Sequence, residues 1–285
     1  MRRINFRGLL LIPLLAAACF AVDVRQATAD FDGNKVVYFE SGKTGKKDAL
    51  VFIHGWTCNA DFWKDSINAF PDYRVIAVDL IGHGRSDKPQ ANYSMEYFAR
   101  SVDAVLKKAK VERAVLVGHS MGTPIARQFY RLYPNKTLGI VIVDGALKGF
   151  AADEATMKGY ANPLRADYAT NMPKFLEQML APVQDKQLKD FIGKSMASTP
   201  GHVAVSAWDA MADPKIWADD KINVPVLALM APGPFWPPNV KDVFAGVAPN
   251  LDFQMWSGVS HFLMMEKPKE FNAQVDGFIR KNKLL

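Results

Sequence analysis

Residues 114–126 read Ala114-Val115-Leu116-Val117-Gly118-His119-Ser120-Met121-Gly122-Thr123-Pro124-Ile125-Ala126. The run from Ala114 to Gly118 is apolar and short, as a buried strand is, and Ile125, Ala126, Phe129 and Tyr130 then recur at helical spacing. Between them lies a serine with a glycine two residues to either side. A serine at the tip of a sharp, strained strand-to-helix turn needs neighbours without bulk, and Gly118 and Gly122 meet that need. The same turn sets the Met121 N–H at a helix start, where it can donate to an oxyanion. Pro124 costs little in a first helical turn. Alone, the pentapeptide is a weak signal in a chain with 19 Gly. Set between a strand and a helix, it marks Ser120 as a nucleophile.

Outward from this turn, Ala49 to His54, Arg74 to Asp79, Gly139 to Asp144 and Val224 to Met230 are further near-continuous apolar runs. Such runs, separated by helical patterns, predict an α/β protein with a mostly parallel, doubly wound sheet covered on both faces. Leu251 to Trp256 predicts another strand and Val36 to Phe39 an early antiparallel edge. The stretch between Asp144 and Val224 is too long for an ordinary crossover and carries several short helical patterns. Residues 147–222 are therefore expected to form a helical cap over the carboxyl edge of a core made of residues 30–146 and 223–285. Ligands of open α/β sheets bind at that edge.

The chain has five histidines. His54 and His83 lie in turn motifs, His119 is buried beside Ser120 by its position, and His202 falls in the cap. His261, in the small-residue loop Gly258-Val259-Ser260-His261-Phe262 after the last strand, is placed to reach a serine at the top of the sheet. It is the expected general base. The turn His54-Gly55-Trp56 offers the Trp56 N–H as a second oxyanion donor, the plainer reading being a strand-end turn. Trp56, Phe62, Trp63, Met121, Phe235 and Trp236 all fall in loops at the carboxyl edge or beside the oxyanion turn. They predict an apolar, aromatic pocket, with Phe62, Trp63, Phe235 and Trp236 as substrate-binding residues, although aromatics in such loops also serve to pack a cap onto a core.

The order and context of these motifs resemble the α/β-hydrolase fold family, especially its lipase- and esterase-like members with a cap. The resemblance runs from about Val36 to Ile279. It rests on His54-Gly55, on Asp79-Leu80-Ile81-Gly82-His83-Gly84-Arg85-Ser86, on Gly118-His119-Ser120-Met121-Gly122, and on the His261 loop with Glu266 and Pro268 downstream. It implies nucleophile Ser120, base His261 and oxyanion donors Trp56 and Met121. The segment at Asp79 resembles the family's structural turn, so neither Asp79 nor His83 is expected to be catalytic.

The acid departs from the commonest pattern. Most members carry an aspartate soon after the strand that here ends at Met230, but Ala231-Pro232-Gly233-Pro234-Phe235-Trp236-Pro237-Pro238 follows, with no carboxylate before Asp242. Some branches place the acid at the end of the strand before the cap, which here ends in Asp144. Asp144 is preferred to Asp242, which lies in a helical pattern with Val243 and Phe244; the plainer reading of Asp144 is a turn aspartate. The set implies ester hydrolysis through an acyl-enzyme. A lactonase, perhydrolase or lyase on the same triad, or a hydrolase-like receptor for a small molecule, stays open. A serine at the turn argues against haloalkane dehalogenase and epoxide hydrolase relatives, which use aspartate there.

Arg2, Arg3 and Arg7 precede an apolar run from Gly8 to Val22, and Ala27-Thr28-Ala29 supplies a small-residue cleavage signal. Residues 1–29 therefore read as a signal peptide, predicting a periplasmic or secreted protein with no membrane span after cleavage. Ala16-Ala17-Ala18-Cys19 is a looser lipoprotein signal. The formal net charge is +6 over 285 residues, and half of the excess comes from Arg2, Arg3, Arg7 and Arg25 against Asp23. The rest is dispersed, which gives nucleic-acid binding little support. At 49% hydrophobic and 22% charged the chain is globular. Cys58 would be the single cysteine after cleavage, so no internal disulfide is expected. The histidines lack metal-ligand spacing, and Gly82-His83-Gly84 does not complete a dinucleotide loop, so no cofactor is expected.

Overall fold

The computed structural model describes residues 24–149, 154–234 and 236–285. The apolar runs form an eight-stranded sheet of β1 (Arg25–Phe31), β2 (Asn34–Gly42), β3 (Asp48–Ile53), β4 (Arg74–Val78), β5 (Arg113–His119), β6 (Thr137–Val143), β7 (Val226–Met230) and β8 (Leu251–Met255). Their spatial order is β1-β2-β4-β3-β5-β6-β7-β8. The β1–β2 and β2–β4 pairs are antiparallel and the remaining pairs parallel. Every residue of β4 and β7 is buried, as the continuous apolar runs require.

The flanking helices bury one stripe each. In α1 (Met95–Ala109) the stripe is Phe98, Val102, Val105 and Leu106; in α2 (Gly122–Leu132) it is Ile125, Ala126 and Phe129. Ser94 caps α1 by accepting the Tyr97 N–H, and Lys110 ends it in the left-handed conformation. Between β6 and β7 run α3 (Glu154–Gly159), α4 (Asn162–Ala166), α5 (Tyr168–Met179), α6 (Lys186–Ala197) and α7 (Gly201–Ala212), the helical insertion expected from its length. After β7 come α8 (Val240–Ala245), α9 (Leu263–Glu266) and α10 (Pro268–Asn282).

The insertion is tied to the core at both roots by one buried arginine on α2, the helix that follows Ser120. Arg127 donates to the carbonyls of Leu147, where the chain leaves the sheet, and of Ala218, where it returns, and pairs with Asp220 at 3.1 Å. Farther out, the Trp56 indole donates to the Ala204 carbonyl at 2.8 Å and the Thr199 hydroxyl to the Thr57 carbonyl at 3.1 Å.

One expectation is corrected at the amino end. The edge of the sheet is β1, not the segment around Val36 to Phe39, which lies one strand inward as part of β2. The expected boundary after Ala29 also falls inside β1, where every residue from Arg25 to Phe31 pairs with β2 and Ala29 and Phe31 are buried. Ala27, Ala29 and Phe31 face inward while Gln26, Thr28 and Asp30 face out. The small residues that resemble a cleavage signal are thus the inward positions of a strand with a period of two. The apolar run of residues 8–22 and Cys19 lie outside the described residues. Among the described residues no helix is long and apolar enough to cross a membrane.

Candidate active site

β5 delivers Ser120 at its carboxyl end with φ of 52°, a left-handed conformation that a non-glycine residue adopts only where its surroundings impose it. The Ser120 N–H is held by the Val143 carbonyl of β6 at 3.0 Å, and Thr123 N–H returns to the Ser120 carbonyl at 2.9 Å. A Cβ on Gly118 would collide with the Gly122 carbonyl, and one on Gly122 with the Ile53 carbonyl. Both glycines are thus required by close approach of strand, turn and helix. Ser120 itself is half-buried.

The turn after β3 lies against the serine. A Cβ on Gly55 would stand 3.1 Å from the Ser120 Cβ and 2.9 Å from His119 Nδ1. Trp56 follows Gly55 directly, as Met121 follows Ser120. Among the described residues neither amide donates to a backbone acceptor outside the helices and strands.

From the other side comes the loop after β8. His261 Nδ1 meets Asp144 Oδ2 at 2.6 Å, and Asp144 is the residue that follows β6. Asp144 is buried, with φ of 43°. Its second oxygen, Oδ1, accepts the Ala231 N–H at 2.9 Å and the Trp236 indole N–H at 3.1 Å. The carboxylate therefore holds three donors, as a buried charge must. Because the carboxylate accepts at Nδ1, the proton of a neutral imidazole sits there and Nε2 is left as the basic nitrogen. Asp242, the competing acid, is exposed on α8.

His119 supports this loop from below. Its Nε2 lies 2.9 Å from the His261 carbonyl, which can only accept, so Nε2 carries the His119 proton. Burial, and then repulsion from His261, hold the His119 ring well below the usual histidine range. His54 is likewise buried and lowered to about 4; it accepts the Leu80 N–H at 3.0 Å and faces the Gly55 carbonyl at 2.8 Å. Burial lowers His83 to about 3. Asp79 accepts the amides of Ala60 at 2.7 Å and Arg85 at 2.9 Å, which makes it the anchor of a turn, as expected.

The aromatics divide. Trp56 meets Phe175 and Trp208 of the insertion edge-on at 5.4 and 5.3 Å, and Phe62 lies 5.6 Å from Phe191 and 5.9 Å from Phe262. These rings line the junction between core and cap. Trp63, expected in the pocket, is instead wholly buried, 4.8 Å from Phe52 and stacked on Phe271 at 6.0 Å. It belongs to the core because the short helical turn Ala60–Trp63 directs it inward. Phe235 lies outside the described residues. Trp236 is half-buried and turns its N–H to Asp144, a partnership that the sequence reading missed. Among the described residues no group of three His, Cys, Asp or Glu side chains is arranged around a metal position.

The chain belongs to the alpha/beta hydrolase fold family, whose sequence profile matches residues 48–207. Over 153 residues, 50% of this chain and 54% of that protein, it is 33% identical to the non-heme chloroperoxidase of Streptomyces lividans. Other leading curated relatives are spanned to about a third of their length. The 2-hydroxy-6-oxononadienedioate/2-hydroxy-6-oxononatrienedioate hydrolase of Burkholderia vietnamiensis is 28% identical, with 88% of this chain and 93% of that one covered. Among solved structures, Est816, described as an N-acyl homoserine lactone degrading enzyme, superposes with a TM-score of 0.72 at 29% identity over 88% of this chain and all of that one. An esterase from Exiguobacterium antarcticum superposes at 0.78 with 18% identity, covering 90% and 98%, a likeness of fold alone.

Proposed function

We propose that the protein is a serine hydrolase that cleaves carboxylic ester bonds of small to medium apolar substrates. The observation that carries this reading is the His261–Asp144 hydrogen bond at 2.6 Å, made at the same sheet edge as the left-handed Ser120. In the proposed cycle His261 Nε2 takes the Ser120 proton as Oγ attacks the ester carbonyl. The Trp56 and Met121 amides receive the developing oxyanion, and Asp144 stabilises the imidazolium. The imidazolium then gives its proton to the leaving alcohol. Water, deprotonated by the same nitrogen, attacks the acyl-enzyme; collapse of the second tetrahedral intermediate frees the acid and returns the proton to Ser120. The aromatic junction of Trp56, Phe62, Phe175 and Trp208 favours uncharged acyl or aryl groups.

A lactone is a cyclic ester open to the same attack. The 29% identity to the lactone-degrading Est816 favours including lactones in the range of substrates. Fluorophosphonate labelling tests the nucleophile: Ser120 is the expected adduct site, and Ser120→Ala should lose on the order of 10⁴- to 10⁶-fold in ester hydrolysis while staying folded. Activity above about a tenth of the parent would overturn the reading, since a lost nucleophile costs far more than that. A panel of short p-nitrophenyl esters beside N-acyl homoserine lactones then sets the two substrate classes apart. Export is part of the proposal, on the strength of Arg2, Arg3 and Arg7 before the apolar run, with processing upstream of β1.

A further inference from the structure

The loop between β7 and α8 is where most relatives of the fold were expected to carry the acid; here it bears prolines and Trp236 instead. It folds back through a turn in which the Trp236 N–H donates to the Gly233 carbonyl at 3.3 Å. The indole then stands edge-on to Phe244 of α8, with centroids 6.3 Å apart at 79°, and its N–H lies 3.1 Å from Asp144 Oδ1. Oδ1 also takes the Ala231 amide at 2.9 Å, which leaves Oδ2 to His261. Pro232, Pro234, Pro237 and Pro238 restrict the loop, and an indole N–H is a donor only, so it can satisfy nothing but an acceptor.

We propose that Trp236 is a positioning residue for the reaction: its indole N–H holds the Asp144 carboxylate with one oxygen turned to His261 and draws off part of its negative charge. The inference rests on the reading of Asp144 as the triad acid. A carboxylate relieved of that donor rotates more freely, so His261 is less well aligned. It also presents more of its charge to the imidazole, which makes the imidazole more basic. Among the described residues, the other titratable groups placed beside the pair are His119, whose ring centroid is 4.7 Å from that of His261, and Glu266, which accepts the N–H of the neighbouring Ser260 at 2.6 Å. Both stay in place in the variants below.

The test compares the parent, Trp236→Phe and a protein with the benzothiophene isostere of tryptophan placed at position 236 alone, which keeps the bicyclic shape and removes the N–H. Asp144→Asn is carried alongside. The readouts are kcat, KM and the acid limb of kcat/KM against pH on a neutral p-nitrophenyl ester. The isostere should lower kcat about tenfold, in keeping with loss of a hydrogen bond to a charged group, with KM within about twofold, and should move the acid limb to higher pH. Trp236→Phe should do the same, and the isostere carries the test alone if the phenylalanine variant fails to fold. An isostere with the parent's kcat and acid limb, beside an Asp144→Asn that is crippled, overturns the inference and leaves the triad intact. A rise in KM alone overturns it too, making Trp236 a pocket wall. An Asp144→Asn that keeps most of its activity removes the acid assignment and this inference together.

Discussion

Asp144 and His261, 117 positions apart in the chain, meet at 2.6 Å with the whole of β7 lying between the strands that deliver them. Asp144 follows β6 and His261 follows β8, so the carboxylate must reach across the end of a strand that contributes backbone rather than a side chain. That strand's exit holds it: the Ala231 amide donates to Asp144 Oδ1, and the Asp144 N–H donates to the Leu229 carbonyl at 2.8 Å. The left-handed φ of 43° at Asp144 is sustained by these bonds, in a residue type that tolerates that region better than most.

Asp144→Asn should lower kcat by roughly 10²- to 10⁴-fold with little change in KM, because an asparagine keeps the shape but cannot stabilise the imidazolium. Asp242→Asn, on the exposed face of α8, should be nearly silent. Steady-state kinetics on one ester decide the pair. The reverse outcome would move the acid to the loop after β7.

Gly55→Ala should cost activity more than stability. Its Cβ would stand 2.9 Å from His119 Nδ1 and 3.1 Å from the Ser120 Cβ, so the oxyanion turn must retreat from the serine by a few tenths of an ångström. We expect kcat to fall about 10²-fold, as loss of an oxyanion donor does, with a melting temperature close to the parent's. An unchanged kcat would show that the Trp56 amide is not used.

Acid should destabilise the fold early. His54 and His83 are lowered by burial from 6.5 to about 4 and about 3, and His119 well below 6.5. The unfolded chain takes up these protons near pH 6.5 and the folded chain only near the lower values. The stabilisation is therefore complete above 6.5 and is lost as pH falls from there towards 4 and 3, by about 1.4 kcal/mol per pH unit for each histidine. Denaturant midpoints measured from pH 8 to pH 4 should drop below pH 6.5. A flat profile across that window would contradict the burial of these rings as neutral groups.

On the export proposal, the amino terminus of the processed chain should lie before Arg25. Ala29 and Phe31 are buried on the inner face of β1, and removing residues up to Ala29 would expose the edge of β2 along its register from Val36 to Glu40. Intact-mass measurement of protein recovered from the periplasm of a bacterial host reads this directly. A chain starting at Asp30 would show that the sheet tolerates loss of the strand, and an unprocessed chain would remove the export proposal.

Much of the site was legible before any fold was known, because its signals are local. Gly118-His119-Ser120-Met121-Gly122 between a strand and a helix admits few conformations, and the five main parallel strands announce themselves by unbroken apolar runs. The small-residue loop at His261 and the missing carboxylate after Met230 narrowed the proposed base and acid to His261 and Asp144, which the fold brings within 2.6 Å of each other. What periodicity could not supply was the pairing of side chains across the sheet. Trp63 and Trp56 look alike in sequence, yet one is sealed against Phe52 and Phe271 and the other reaches the cap at Ala204. Ala27 and Ala29 carry the same small side chains whether they face a peptidase or a neighbouring strand. Trp236 gains its meaning only from the Asp144 carboxylate, 92 positions away. Local sequence determines backbone conformation over a few residues; strand order and the path of each loop decide which donors meet which acceptors, and those are properties of the assembled sheet.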